Sequence, residues 1–280
     1  MPLTVAAAVL GAALLHAVWN ALLRFQGDRL TMVTLLVAFS GLFALPGALW
    51  TGPPEPAAWP WLAASMGLHV GYNVFLARAY GHGELGRVYP LARGAAPLLT
   101  LVAGGLLLGQ TLEAWARVGV ITLAGGILLL ALEDGWRAFR HNPRSVAYSL
   151  TTALFIAGYT LADGVGARTA SNAHAYVLWL FVMNGLPLLL HRLATGRGGG
   201  GAALLANWRA AAIGGLLSLG AYWIAIWAMT VAPIAAVAAL RESSVVFAVL
   251  IGVLFLQEPF TRIRALSVLI VLAGLVMLRL

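Results

Sequence analysis

From Leu3 to Leu23 the chain carries no Asp, Glu, Lys or Arg, and stretches of the same kind recur to its other end. A run of about 20 apolar residues is what an α-helix needs to cross the hydrocarbon core of a bilayer. Lipid offers the backbone no water, so such runs must be helical, each N–H and C=O finding its partner within the segment. Ten spans are expected: Leu3–Leu23, Thr31–Trp50, Trp59–Tyr80, Val88–Leu108, Trp115–Leu132, Ser145–Val165, His174–Leu190, Trp208–Thr230, Pro233–Leu256 and Ile263–Leu278. The gaps hold breakers or charges, as in Gly27-Asp28-Arg29, Gly52-Pro53-Pro54, Gly81-His82-Gly83 and a Gly198–Gly201 loop. Barrel strands would need alternating segments of about ten residues, and the sequence has none. The expected fold class is therefore an all-α polytopic membrane protein. The first run reads as a span rather than a signal peptide: no basic segment precedes it, it is too long for a signal's apolar region, and Arg24 follows it.

Composition excludes several alternatives. Charged residues make up 9% of the chain and hydrophobic ones 61%, with a mean hydropathy of +0.92; a soluble domain carries about 25% charged residues. The formal charge is +8, and all 17 basic residues are Arg. Most of them sit in short gaps between apolar runs instead of forming a face, which points to the lipid bilayer as partner and away from nucleic acid. There is no Cys, hence no disulfide, thiolate metal site or thiol nucleophile. No phosphate-binding loop, metal-ligand cluster or catalytic triad is visible. The expectation is no enzyme, no cofactor and no metal.

The longest charged connection, Glu133 to Arg144, splits the chain into residues 1–132 and 145–280, with 133–144 between them. The two parts align without gaps at an offset of 148 residues, pairing Arg93 with Arg241, Gly104 with Gly252, Gln110 with Glu258 and Gly126 with Gly274. Upstream the match weakens, with Trp19-Asn20 against Tyr159-Thr160. Five spans per half is an odd number, so repeated halves must be inverted in the membrane. That arrangement is typical of secondary transporters with a site near the midplane.

Three segments carry a family resemblance: Leu15-His16-Ala17-Val18-Trp19-Asn20, Pro97-Leu98-Leu99 through Gly109-Gln110-Thr111-Leu112, and Ala238-Ala239-Leu240-Arg241-Glu242-Ser243-Ser244 through Gln257-Glu258-Pro259-Phe260. With these the chain resembles, over essentially its whole length, the EamA-type branch of the drug/metabolite transporter (DMT) superfamily. It departs from the family's Gly-Glu-x-Leu signature at Gln110, at Gln257 and at Pro259. The resemblance implies spans one to four and six to nine around a central cavity, with five and ten peripheral. It also implies a multi-pass protein of the bacterial cytoplasmic (inner) membrane. The function expected is a secondary transporter of small metabolites, such as amino acids or amphipathic compounds, working by alternating access as an exporter. The alternative is a lipid or lipid-linked sugar flippase of the same fold, which would need a lateral opening. The partners are a small-molecule substrate and lipid. The oligomeric state is not legible, and a monomer is compatible with all of this.

A charged side chain at the bilayer centre costs about 2.5–3.5 kcal/mol on insertion scales, so it is either paired or functional. Arg93 and Arg241 lie inside spans four and nine at equivalent repeat positions. They are read as cationic gates or carboxylate anchors, or as structural partners of Glu242. Asp163 and Glu242 are candidate proton carriers; Asp163, near the end of span six, is also read as an interfacial residue paired with Arg168. His16, Trp19 and Asn20 share one face of span one, and His69 and Asn73 one face of span three. Both faces are read as cavity lining or as interhelical glue. Tyr159, Trp179, Tyr222, Trp223 and Trp227 complete the substrate candidates, the last two as a stacking wall or as plain packing. Glu258 reads as a structural signature, and Arg78 as a residue snorkelling from its span end.

If ten spans alternate, Arg24, Arg29, Arg87, Arg137, Arg140, Arg144, Arg192, Arg197, Arg209, Arg262 and Arg264 share one side, and only Arg117, Arg168 and Arg279 the other. The positive-inside rule puts the larger set in the cytoplasm and both termini outside. In this Cys-free chain, a cysteine at Gly199 should react from the cytoplasmic side and one at Gly52 from outside. The reverse labelling pattern reverses the orientation.

Overall fold

A computed structural model describes residues 1–24, 29–133, 142–195 and 200–279. The described residues form α1 (Leu3–Arg24), α2 (Arg29–Thr51), a single 3₁₀ turn (Pro56–Ala58), α3 (Trp59–His82), α4 (Leu85–Leu108) and α5 (Ala114–Leu130). Then follow α6 (Pro143–Thr169), α7 (Ala173–Thr195), α8 (Gly200–Val231), α9 (Ile234–Arg241), α10 (Ser244–Leu256) and α11 (Arg262–Arg279). Among the described residues six stretches are long and apolar enough to cross a membrane: Leu3–Leu22, Met32–Thr51, Gly86–Leu108, Pro143–Thr169, Trp208–Val231 and Ile234–Leu256. The protein is an all-helical, multi-pass membrane protein. The other expected spans fall on α5 and α7, whose apolar segments are shorter, and on α3 and α11, which carry His69, Asn73 and Arg78 or begin and end on Arg.

Two expectations need correction. The ninth span is not one helix: α9 stops at Arg241, and α10 starts at Ser244. The Gly198–Gly201 loop is wrong at its second half, since Gly200 and Gly201 already belong to α8. The helix-forming Ala and Leu that follow them favour that extension. Gly27, Asp28, Gly198 and Gly199 lie outside the described residues, as do Arg137, Arg140 and Arg197.

Local chemistry sets the helix ends. Asn142 caps α6, its Oδ1 accepting from Ser145 N at 3.1 Å, with Pro143 in the first turn, where proline's missing N–H costs nothing. At the far ends of α4 and α10, positions 148 residues apart play one role. Gly109 closes α4 at φ +62°, and Gln257 closes α10 at φ +56°. The next amide reaches back in each case, Gln110 N to Gly104 O and Glu258 N to Gly252 O. The substitution of Gln for Gly noted at 257 therefore places a side chain in the left-handed region.

Small residues bring the helices together. A Cβ on Gly119 would meet Leu278 N at 2.6 Å, and one on Gly274 would meet Leu123 N at 2.6 Å, so α5 and α11 touch backbone to backbone. Gly41 and Gly185 do the same for α2 and α7. Close approach through glycine is how helices associate where lipid supplies no hydrophobic drive. In addition α3 packs along α6, and α1 along α8, which brings the faces of α3, α6 and α8 that carry polar side chains to the interior.

A left-handed residue other than glycine costs about 1–2 kcal/mol. Gln257→Gly should therefore raise the thermal midpoint of the detergent-purified protein, while Gly109→Gln should lower it. A Gln257→Gly variant no more stable than the parent would show that the site is relaxed.

Candidate functional site

The site begins with α4. Arg93 lies between Pro90 and Pro97 in that helix, and Pro97 has no N–H to give the Arg93 carbonyl. At the repeat-equivalent position the chain reaches the same result by another route. After Arg241 the amides of Glu242 and Ser243 donate back to Ala239 O and Leu240 O, and Val245 N donates to Glu242 O. This three-residue spacing is a 3₁₀ turn inside a helical run, a local geometry often found at hinges. The Arg93 and Arg241 carbonyls thus both lose their regular helical donor.

The side chains at these two breaks meet. Arg93, Arg241 and Glu242 are 5%, 4% and 1% exposed. Arg93 Nε lies 2.7 Å from Glu242 Oε2, and Arg241 Nη2 lies 3.9 Å from Glu242 Oε1. The shorter contact is an ion pair by distance only. Its N–H does not aim at the oxygen, so Nε and Oε2 both remain without a directed hydrogen bond. Arg93 also approaches His16 Nε2 at 3.5 Å and lies over the Tyr89 ring at 5.7 Å. Arg241 is less well held. It lies 5.5 Å over the Tyr222 ring, and its buried Nε has no partner. Ser243 Oγ at the break and Thr160 Oγ1 in α6 are also buried and unpartnered.

A second cluster adjoins the first. Asp163, fully buried in α6, accepts from Tyr176 at 3.0 Å and from Tyr222, while the Ser65 hydroxyl lies 3.2 Å from His69 Nδ1. Tyr222 is the bridge: its ring lies under Arg241 and its hydroxyl on Asp163. His69 Nδ1 donates to Ser65 O at 2.9 Å, and its ring stacks on Tyr159 at 4.1 Å. Tyr72 and Phe181 contact these rings edge-on.

The pairing of Asp163 with Arg168 is not what forms. Arg168 donates to Met229 O and Ala232 O, both at 2.7 Å, and so ties down the end of α8. The expectation placed Asp163 near a span end because it stopped the span at Val165; α6 runs on to Thr169, which carries Asp163 inward.

The candidates divide accordingly. His16, His69, Arg93, Tyr159, Asp163, Tyr222, Arg241 and Glu242 come together, with Trp19 edge-on to His16 at 5.0 Å. Asn20 and Asn73 spend their amides on the carbonyls of His16 and His69 in their own helices, both at 2.8 Å. Trp179 is elsewhere, donating to Gly52 O at 2.8 Å beside Trp59. Trp223 and Trp227 point away from Tyr222, because neighbouring helical positions diverge by about 100°. With His174, Gly220 and Ile224 they line an open cleft of about 390 Å³, and Trp223 Nε1 donates to His174 Nδ1 at 2.7 Å. Sequence reasoning missed Tyr176, Ser65 and Ser243 as site residues. Ser65 was within reach, standing one turn before His69 on the same face of α3. Among the described residues no three His, Asp or Glu side chains gather as a metal site.

Breaking a buried ion pair from one side typically costs about 3–5 kcal/mol, because it strands a charge. Glu242→Gln should sharply reduce the monodisperse yield, and adding Arg93→Gln should restore much of it; adding Arg241→Gln should restore less, since that arginine stands farther off. Equal rescue by the two arginine changes would remove the distinction.

Comparison with known proteins agrees with this architecture. A protein solved by crystallography superposes with a TM-score of 0.78 at 16% identity, over 99% of this chain and 98% of that one; at such identity the likeness is one of fold. Among curated proteins none matches. Residues 144–280, just under half of the chain, match the EamA-like transporter family.

Proposed function

We propose that the protein is a secondary transporter that carries small metabolites across the bacterial cytoplasmic membrane by alternating access. Its substrate site is the interior cluster around Arg93, Arg241 and Glu242. The observation that carries this reading is Arg241: a guanidinium 4% exposed, with no hydrogen bond to protein among the described residues and its one acid at 3.9 Å. A buried arginine left this way has donors to spend on an anionic group of a ligand. Tyr222, Tyr159, His69 and Phe181 supply flat surfaces for the rest of such a molecule, which suits a small amphipathic carboxylate such as an amino acid. Export is the direction that the family resemblance suggests.

Two inverted five-helix halves, residues 1–132 and 145–280 joined by 133–144, account for the packing. The helix pair α3–α6 and the pair α8–α1 are related by exchanging the halves, and α5–α11 and α2–α7 map onto themselves. Equivalent residues also serve opposite ends. Gln110 Oε1 accepts from Ile234 N at 3.2 Å near Arg168, whereas Glu258 joins Arg264 at 2.8 Å next to Glu133. Each of these contacts joins loops that ten alternating spans would put on one side. The two arginine-bearing breaks then stand on the two halves and face each other across the site.

A flippase is the second reading, favoured by the open Trp223–Trp227 cleft. The two are separated in liposomes containing the purified protein. Exchange of radiolabelled amino acids and aromatic carboxylates, lost in Arg241→Gln at near-parental yield, supports the transporter. Scrambling of a fluorescent lipid, lost in Trp223→Ala and Trp227→Ala and unaffected by Arg241→Gln, supports the flippase.

A further inference from the structure

Among the described residues four charged side chains are buried: Arg93, Arg241, Glu242 and Asp163. Two are cations and two are acids, so the interior is neutral when both acids are ionised. An anion arriving at Arg241 would leave one negative charge in excess, and an unbalanced charge in a medium of low polarity is costly. A proton taken up on one of the two acids removes the excess.

The geometry points to Asp163 as the acid that takes that proton, so that a net-anionic group binds at Arg241 together with one proton. This rests on the interior cluster being the substrate site and adds the class of substrate and its coupling. Glu242 is unsuited to the role. It lies 2.7 Å from Arg93 and 3.9 Å from Arg241, and neutralising it would leave two facing cations without an acid. Among the described residues Asp163 takes hydrogen bonds only from uncharged side chains, Tyr176 of α7 and Tyr222 of α8. Its protonation breaks no ion pair. The proton comes from water on the loading side, forms an O–H bond at an Asp163 carboxyl oxygen, and leaves to water on the other side. Among the described residues the other titratable or charged groups facing this region are His69 and Tyr72 of α3, Arg93 of α4, Tyr159 on α6 itself, and Arg241 with Glu242 at the end of α9. His69 gives Nδ1–H to Ser65 O, which a neutral imidazole can do. Tyr222 connects the two sites, one face under Arg241 and its hydroxyl on Asp163. When Asp163 carries a proton, Tyr222 no longer has to donate to it, and Arg241 no longer shares that side chain with a negative charge. By linkage, a proton that strengthens anion binding is itself held more tightly when the anion is present. Proton and anion therefore travel together and electroneutrally, which lets an accumulated acidic metabolite leave down its own gradient. A zwitterion, already neutral, would bring no proton.

The test uses the full-length purified protein with two probes: benzenesulfonate, which stays anionic at any working pH, and L-phenylalanine, which is net neutral. Binding is followed calorimetrically and proton uptake with an indicator dye in weakly buffered solution. Benzenesulfonate should take up about one proton per anion bound, and its affinity should weaken about tenfold per pH unit as the proton becomes scarce. L-phenylalanine should bind without uptake. Asp163→Asn should bind benzenesulfonate with no uptake and no pH dependence. An infrared difference spectrum of the unmutated protein should gain a protonated-carboxyl band on adding benzenesulfonate; absence of that band overturns the proposal even if Asp163→Asn does not fold. Undiminished uptake in Asp163→Asn, or uptake abolished by His69→Asn, also overturns it. Binding without uptake removes the proton step and leaves the transporter reading intact. Failure of benzenesulfonate to bind removes the anion assignment. The transporter reading itself falls only if no solute exchanges in the liposomes.

Discussion

A bilayer offers a polar group no water, so every donor, acceptor and charge inside it must be answered by another part of the chain. That requirement makes the backbone helical wherever the sequence is apolar. It also explains how the polar side chains of the interior are disposed. Asn20 and Asn73 return their amides to their own helices. Arg168 closes the carbonyls that the end of α8 leaves open. Asp163 draws hydroxyls from two other helices, α7 and α8. Where the requirement is met, as in these cases, the side chain acts as a fastener between or along helices.

Against that background the incompletely answered groups stand out. Arg93 Nε, Arg241 Nε, Glu242 Oε2, Ser243 Oγ and Thr160 Oγ1 are buried without a hydrogen-bond partner, and the first four belong to the two places where the helical ladder is disturbed at an arginine, by Pro97 within the continuous α4 and by the turn between α9 and α10. Buried polar groups in native proteins are almost always satisfied, and each exception calls for an explanation. A proline in α4 and a 3₁₀ turn after α9 both disrupt the ladder at an arginine. Interrupted helices inside a membrane are tolerated where they are buried in protein or line a cavity, and transporters use such breaks to present polar groups to a ligand. Two different local devices thus take the regular donor from an arginine carbonyl at equivalent positions, a proline within the continuous α4 and a turn between α9 and α10.

The open cleft beside Trp223 and Trp227 shows how one helix can serve two environments. Tyr222 and Trp223 are adjacent in sequence, yet one joins the charged interior and the other an apolar groove. Their divergence of about 100° is simply helical geometry. Grouping aromatics by nearness in sequence therefore merged two sites that the fold keeps apart, and Trp179, fastened to Gly52 O, belongs to neither.

The amino-acid sequence by itself determined the membrane-spanning, all-helical class, because hydrophobic run length and scarcity of charge are one-dimensional properties. It also marked Arg93 and Arg241, since a charge inside an apolar run is conspicuous and their common offset shows on alignment. Gln257 stood out as a departure from the Gly of the family signature, although the left-handed backbone that it shares with Gly109 was not visible. Only the tertiary structure decided which acid answers which arginine. Glu242 follows Arg241 directly but lies nearer Arg93, because consecutive helical residues point apart while α4 brings Arg93 across. Only the fold could place Asp163 with Tyr176 and Tyr222 instead of Arg168, since those partners come from separate helices and the choice depended on how far α6 continues. The break between Arg241 and Ser244 was equally hidden: those residues favour no turn strongly, and its shape follows from what packs around it.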